Sequence, residues 1–345
     1  MANPSTKSPT LETDTELQAG AGDDQPQVVH VCVDLANVSH RAITAGQDIA
    51  QALNASLSLL HVIEPTGGDA TPLPDPVEWD IRRQGIEQQL KQIAKTLPEG
   101  KTPVTVRVLE GHSAQQICST LATNPHDIAV ICRNNNETGP CLGATAQRIL
   151  EHGASTVLMV PETVGVTADD EHLTRIMLAL DGSDQSETAI PLSLRLASAK
   201  DAELILVHAT PEPALTLAGP SEPQDKALLD ELRNRNRRVA KTYLKQKMDR
   251  LKSSGVKLRT LILSGSDVRR ALTTGAQDEH ADLFIIASHG QSGFGDVAVG
   301  DVANFVIRHA PVPVLLVRSI APHGPSHVYA SARTKGARPP GNVTQ

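Results

Sequence analysis

Large aromatic side chains are nearly missing from this chain: three Phe, two Tyr and one Trp in 345 residues, or 2%. A core without rings has to be filled by small aliphatics. The 39% hydrophobic content supplies them and suits layered helices and sheets of Val, Ile, Leu and Ala. Cysteine is also scarce. Cys32, Cys118, Cys132 and Cys141 all fall in the first half and none forms a CxxC pair, so neither a disulfide framework nor a dithiol redox motif is indicated. They read as small buried hydrophobes, with redox sensing or metal binding as the alternative. No apolar h-region or membrane-length apolar run occurs, so a soluble, cytoplasmic protein with no membrane partner is expected. HExxH, GxSxG and Walker patterns are absent, which leaves no named catalytic machinery and an expectation of a non-enzyme. A net charge of -7 and a pI near 6.0 argue against nucleic acid as the default partner.

The chain does contain a rhythm of short apolar runs and amphipathic stretches. Residues 1–26 are polar and read as a disordered tail. Strands are expected at Val28 to Asp34, Leu57 to Ile63, Val104 to Leu109, Ile128 to Cys132 and Thr156 to Val160. Helical spacing lies between them, including a long amphipathic segment from Val77 to Leu97 after a proline-rich loop at 65–76. Strands that alternate with helices predict a parallel, doubly wound α/β sheet.

The second half repeats the first. Asp34 and Asp181, and His61 and His208, are each 147 residues apart; Gly111 and Gly265 are offset by 154; Gly143 and Gly300, His152 and His309, and Val160 and Val317 by 157. Offsets that grow only in connecting segments mark a tandem duplication. The helix expected from about Pro223 to Ser253 outgrows its partner. Leu228, Leu232, Val239, Tyr243 and Leu251 are expected to cover the sheet. Arg233, Arg235, Arg237, Arg238, Lys241, Lys245 and Lys247 read as a solvated face, with an acidic-partner or nucleic-acid surface as the alternative.

The most informative stretch is Asp282 to Arg318. A buried strand, Leu283 to Ala287, precedes Ser288-His289-Gly290 and a glycine-dotted loop to Gly300. Asp301 is then placed to cap a helix carrying Val302, Phe305, Val306 and His309, which Pro311 stops before a last strand at Val312 to Val317. Strand, glycine loop and helix N-terminus together form an anion cradle.

These residues resemble the universal stress protein, UspA-like, family. Its nucleotide-binding members carry Gly-x2-Gly-x9-Gly-Ser/Thr where this chain has Ala287-x2-Gly290-x9-Gly300-Asp301. The duplication extends the resemblance to two domains, 27–161 and 173–318, with a linker at 162–172 and a basic, disordered tail at 319–345. The resemblance implies two tandem doubly wound domains, each a five-stranded parallel sheet in the order 3-2-1-4-5. It also implies ATP or another adenine nucleotide, with Mg or Mn alongside, in the crevice of the second domain. Asp181 and the Ala209 backbone would face adenine and ribose, Gly290 and Gly300 would let backbone amides approach the phosphates, and Val302 would add an amide at the helix start. Gly182, Ser183, Ala287, His289 and Asp301 complete the expected site. Asp301 departs from the pattern, since a carboxylate only accepts hydrogen bonds and repels phosphate. At about 4 Å and an effective dielectric near 20, each such pair costs on the order of 4 kcal/mol.

The loop of the first domain, Cys132 to Ala144, is two residues shorter, places Asn135 at the second glycine and Ala144 at the hydroxyl, and leaves only Arg133 to meet an anion. That half reads as structural or regulatory. No nucleophile or acid is seen beside His289, which reads as a loop residue. Self-association is implied through the two last strands, between the domains of one chain or in a homodimer, with a further protein partner of unknown identity. The function expected is a stress-linked regulator or adenine-nucleotide sensor, or else a ligand-free interaction scaffold, with a slow nucleotide hydrolase as the third alternative.

Overall fold

The computed structural model describes residues 28–65, 76–98, 102–133, 135–136, 139–140, 142–153, 155–162, 173–214, 223–290 and 299–318. The readings made for both tails, the linker core, most of the proline-rich loop, Cys141 and positions 291–298 of the glycine loop lie outside these residues.

The first half runs β1 (Val28–Cys32), α1 (His40–Leu53), β2 (Ser56–Ile63), α2 (Pro76–Thr96), β3 (Val104–Glu110), α3 (Ser113–Ala122) and β4 (Ile128–Arg133). A two-residue ladder, β5 (Asn135–Asn136) with β6 (Gly139–Pro140), precedes α4 (Ala144–His152) and β7 (Thr156–Pro161). The second half runs β8 (Arg175–Ala179), α5 (Asp184–Glu187), α6 (Ile190–Lys200), β9 (Glu203–Pro211), α7 (Pro223–Leu251), β10 (Lys257–Gly265), α8 (Val268–Asp278), β11 (Leu283–Ala287), α9 (Asp301–His309) and β12 (Val314–Val317).

Duplicated residues perform duplicated tasks. Asn54 and Asp201, 147 apart, both close their helices in the left-handed region, at φ 55° and 51°. Asp127 accepts from the Val28 amide at 3.0 Å, and its counterpart Asp282 accepts from the Arg175 amide at 2.9 Å, so each carboxylate pins the start of a first strand. His61 and His208 place Nδ1 at 2.8 and 2.7 Å from the carbonyls of Val33 and Leu180, just beyond those strands.

Each half forms a five-stranded parallel sheet, ordered β3-β2-β1-β4-β7 and β10-β9-β8-β11-β12, as the resemblance implied. The two last strands pair antiparallel, with Leu315 opposite Leu158, and fuse the halves into one ten-stranded sheet. Both last-strand edges are thereby occupied within one chain, which protects two apolar edges that would otherwise invite pairing with other chains. Helices cover both faces. One continuous apolar layer unites Ile49, Leu158, Leu196 and Leu315; on the other side Ile149, Met159, Phe284 and Val306 form a second. Across the junction, α6 meets α1 through Lys200 Nζ and Asp48 Oδ1 at 2.6 Å.

One expectation on packing is corrected. Of the apolar residues expected to cover the sheet from α7, Leu228 and Val239 are exposed (46% and 57%). The buried residues are Ala240 and Leu244, so only the C-terminal half of α7 is anchored. Cys32 and Cys132 lie on adjacent strands and pack on opposite faces of the sheet, because Val31 pairs with Val130 and alternate residues of a strand point oppositely. Burial pushes each thiol up to about 12, helped at Cys132 by Glu162, whose Oε2 lies 2.9 Å away.

Candidate functional site

In an open parallel sheet the winding direction reverses between the first and fourth strands, opening a crevice beyond their carboxyl ends. Between β8 and β11 that crevice is a cavity of about 420 Å³. Eight of the ten residues singled out from sequence line it: Asp181, Ala209, Ala287, His289, Gly290, Gly300, Asp301 and Val302. Gly182 and Ser183 do not; they shape its rim. Gly182 turns at φ 90°, the left-handed region that suits glycine. Ser183 gives its amide (2.9 Å) and hydroxyl (2.6 Å) to Asp181 Oδ1.

The other carboxylate oxygen faces Gly290. A Cβ at Gly290 would fall 2.2 Å from Asp181 Oδ2, so the first-strand turn and the glycine loop are in direct contact across the crevice. At Gly300 a Cβ would meet only ordinary contacts, the nearest being Ser288 O at 3.5 Å. The protein itself does not require glycine there, but a side chain would narrow the cavity wall. The Gly300 amide donates to Ser288 O at 2.8 Å and ties both ends of the loop together.

Asp301 is not the cap it was expected to be. Gly300 is the N-cap residue of α9, Asp301 is the first helical residue, and no side chain caps the helix. The carboxylate therefore stands among the unpaired amides of the first turn, in the cavity wall, where the helix dipole favours it. Arg269 lies nearby. Its guanidinium forks onto Asp267 at 3.0 and 3.1 Å and is held above its usual range chiefly by Asp267 and, to a smaller extent, by Asp301.

Sequence reasoning missed the apolar floor, formed by Val207, Leu272 and Ile286, together with Ser186 and Ser288. Position within a core strand (Val207, Ile286) or a helix (Leu272, Ser186) hides these residues, since every core element offers similar ones. It also missed a partner for His289, whose Nδ1 lies 3.0 Å from Ser288 Oγ. Ser288 is only 5% exposed, so this hydroxyl serves the loop from beneath.

The equivalent place in the first half has been put to another use. Arg133, read from sequence as the residue left to meet an anion, is 4% exposed and crosses the domain junction. It donates from Nη1 to Ile307 O at 2.7 Å and from Nη2 to Ala310 O at 2.8 Å, closing the C-terminus of α9. Burial lowers its pKa to about 10. Arg318 reciprocates by donating to Leu150 O on α4, the carbonyl that the duplication matches with Ile307. Thus the helix whose N-terminus walls the second-domain cavity is held at its other end by the first domain. Among the described residues no group of three or more His, Cys, Asp or Glu could hold a metal ion, and no helix is long and apolar enough to cross a membrane.

Comparisons with known proteins agree with this architecture. The family model described as "Universal stress protein family" matches residues 27–161 and 172–318. Universal stress protein Rv2005c of Mycobacterium tuberculosis is 22% identical over 304 residues, covering 84% of this chain and 96% of the relative. Universal stress protein YxiE of Bacillus subtilis is 27% identical over 148 residues, 42% of this chain and 98% of its own length. The crystal structure of a universal stress protein from Archaeoglobus fulgidus superposes with a TM-score of 0.60 at 17% identity, covering 85% of this chain and 99% of that one.

Proposed function

This chain belongs to the universal stress protein family in both of its halves, and from that premise we propose that it is a regulatory protein whose second domain senses an adenine nucleotide. The observation that carries the reading is the cavity at the β8/β11 crossover, where the first turn of α9 and the backbone at Gly290 and Gly300 converge. Its volume falls within the range that encloses small ligands, roughly 300–1,000 Å³. The apolar floor would take a flat base, Asp181 would accept from ribose hydroxyls, and the α9 amides would meet phosphate.

Asp301 sets which nucleotide. Its charge penalises a bare triphosphate and penalises a monophosphate less. Because no ready-made metal cluster exists among the described residues, a cation would arrive on the phosphates and be shared with Asp301. Turnover is not part of the reading. A second reading, a scaffold with no ligand, is favoured by the same Asp301 carboxylate in the wall. Calorimetric titration of the full chain with AMP and with ATP, with and without Mg²⁺, separates the two. Heat of binding for AMP supports the sensor; none for any nucleotide supports the scaffold.

A further inference from the structure

The helix α7 carries a charge pattern that the fold does not use. Its 29 residues span about 44 Å, at about 1.5 Å per residue. From Leu232 to Met248 it holds seven basic residues and no acidic one. The duplicated helix α2 shows that this is no requirement of the position, since four basic residues there are balanced by three acidic ones. Two of the seven are committed: Arg233 to Asp230 and Glu212, and Lys247 to Glu187. Arg235, Arg237, Arg238 and Lys241 have no ion-pair partner among the described residues.

At about 100° per residue, Arg235, Arg238, Lys241 and Lys245 fall on one stripe. The stripe runs from about 60° to about 180° round the helix from the buried Ala240 and Leu244, with Arg235 and Arg238 facing farthest away, and extends about 15 Å along it. All four are exposed, and Val239 and Leu228, exposed themselves, flank the stripe. The result is a basic ridge with an aliphatic border on a chain of net charge -7.

We propose that this ridge docks an acidic, amphipathic segment of a partner protein, its carboxylates on the basic stripe and its aliphatic side chains against Val239 and Leu228. Charge complementarity selects an acidic partner, and the aliphatic border selects one with apolar side chains at helical spacing. Nucleic acid fits less well. Tyr243 is the sole aromatic of α7 and is turned inward onto His208 and Glu187, so no ring is presented for base stacking. The acidic remainder of the chain also repels a long polyanion. Nothing in this inference depends on what the β8/β11 cavity holds.

The test displays random peptides of about 16 residues to the full-length chain, long enough to form a helix of several turns. Enriched sequences are then measured by fluorescence anisotropy against wild type, the triple variant R235E/R238E/K241E, and R82E/R83E on α2 as a control. Expected are peptides rich in Asp and Glu with Leu, Ile or Val three and four positions apart. Their affinity should fall at least about tenfold in the triple variant and stay unchanged in the α2 control. All the substituted side chains are exposed, and circular dichroism checks that each variant is folded. No enrichment, equal binding to the triple variant, or equal loss in the α2 control overturns the inference. Tighter binding of a DNA duplex of about 20 base pairs overturns it in favour of a nucleic-acid surface.

Discussion

Replacing Arg133 with methionine separates a structural account of the first domain from a ligand-binding one. The guanidinium is buried and gives two hydrogen bonds, at 2.7 and 2.8 Å, to the last carbonyls of α9. A hydrogen bond from a charged donor contributes about 1.5–3 kcal/mol net, so the pair is worth roughly 3–6 kcal/mol. Its Nε is buried without a hydrogen-bond partner, so part of the charge's burial is uncompensated. Removing that burden, together with the good packing of methionine in an apolar junction, returns about 1–2 kcal/mol. The expected net loss is about 2–4 kcal/mol, or a fall in Tm of roughly 4–12 °C for a chain of this size. Arg133→Lys, with one ammonium for two carbonyls, should lose about half as much. Thermal and urea unfolding followed by far-UV circular dichroism reads both values. A methionine variant within about 0.5 kcal/mol of wild type would refute the reasoning, because an exposed, uncommitted arginine behaves that way.

Two further outcomes follow from the same geometry. Gly290→Ala puts a methyl group where Asp181 Oδ2 stands, 2.2 Å away. It should weaken nucleotide binding at least about tenfold while costing only about 1–3 kcal/mol of stability, as overpacking at one position does; unchanged affinity by calorimetry contradicts the proposed wall. The raised thiols give a pH signature. Cys32 and Cys132 titrate at about 12 when folded against 9.0 when free, so the unfolded chain sheds these protons first. Their contribution is complete below pH 9.0 and declines as pH rises toward about 12. Urea unfolding near pH 8 and near pH 10.5 should therefore show a steeper loss in wild type than in C32A/C132A; parallel losses refute the burial argument.

The duplication made most of the fold legible. Offsets of 147 to 157 identified paired turns, and the structure gives Asp127 with Asp282, and His61 with His208, matching roles at matching places. Strand limits were read to within two residues, because a strand buried on both faces announces itself as a continuous apolar run. The tip of α7 was misread, since helical spacing shows which residues share a face but not whether the sheet extends beneath them. Leu228 lies N-terminal to the anchored half, and Val239, about 100° round the helix from buried Ala240, turns away from the sheet. At the cavity, motif spacing brought together the loop and Asp181, because glycine and turn residues mark backbone geometry directly. The floor and the Arg133 clamp stayed hidden: both are tertiary contacts, the latter 174 residues apart in sequence. A basic residue beside a degraded anion loop looks like a binding group until the opposite helix end is in view.

The central claim rests on the cavity beside Asp301, and a direct test is the affinity of wild type and Asp301→Ser for AMP and ATP, with and without Mg²⁺. The account predicts that wild type binds AMP, that it binds ATP appreciably only with Mg²⁺, and that Asp301→Ser gains about ten- to a hundredfold for metal-free ATP. That gain corresponds to about 1.4–2.7 kcal/mol, below the full Coulomb cost because Arg269 stands nearby. Failure of both proteins to bind any of these nucleotides would contradict it and leave the chain a scaffold.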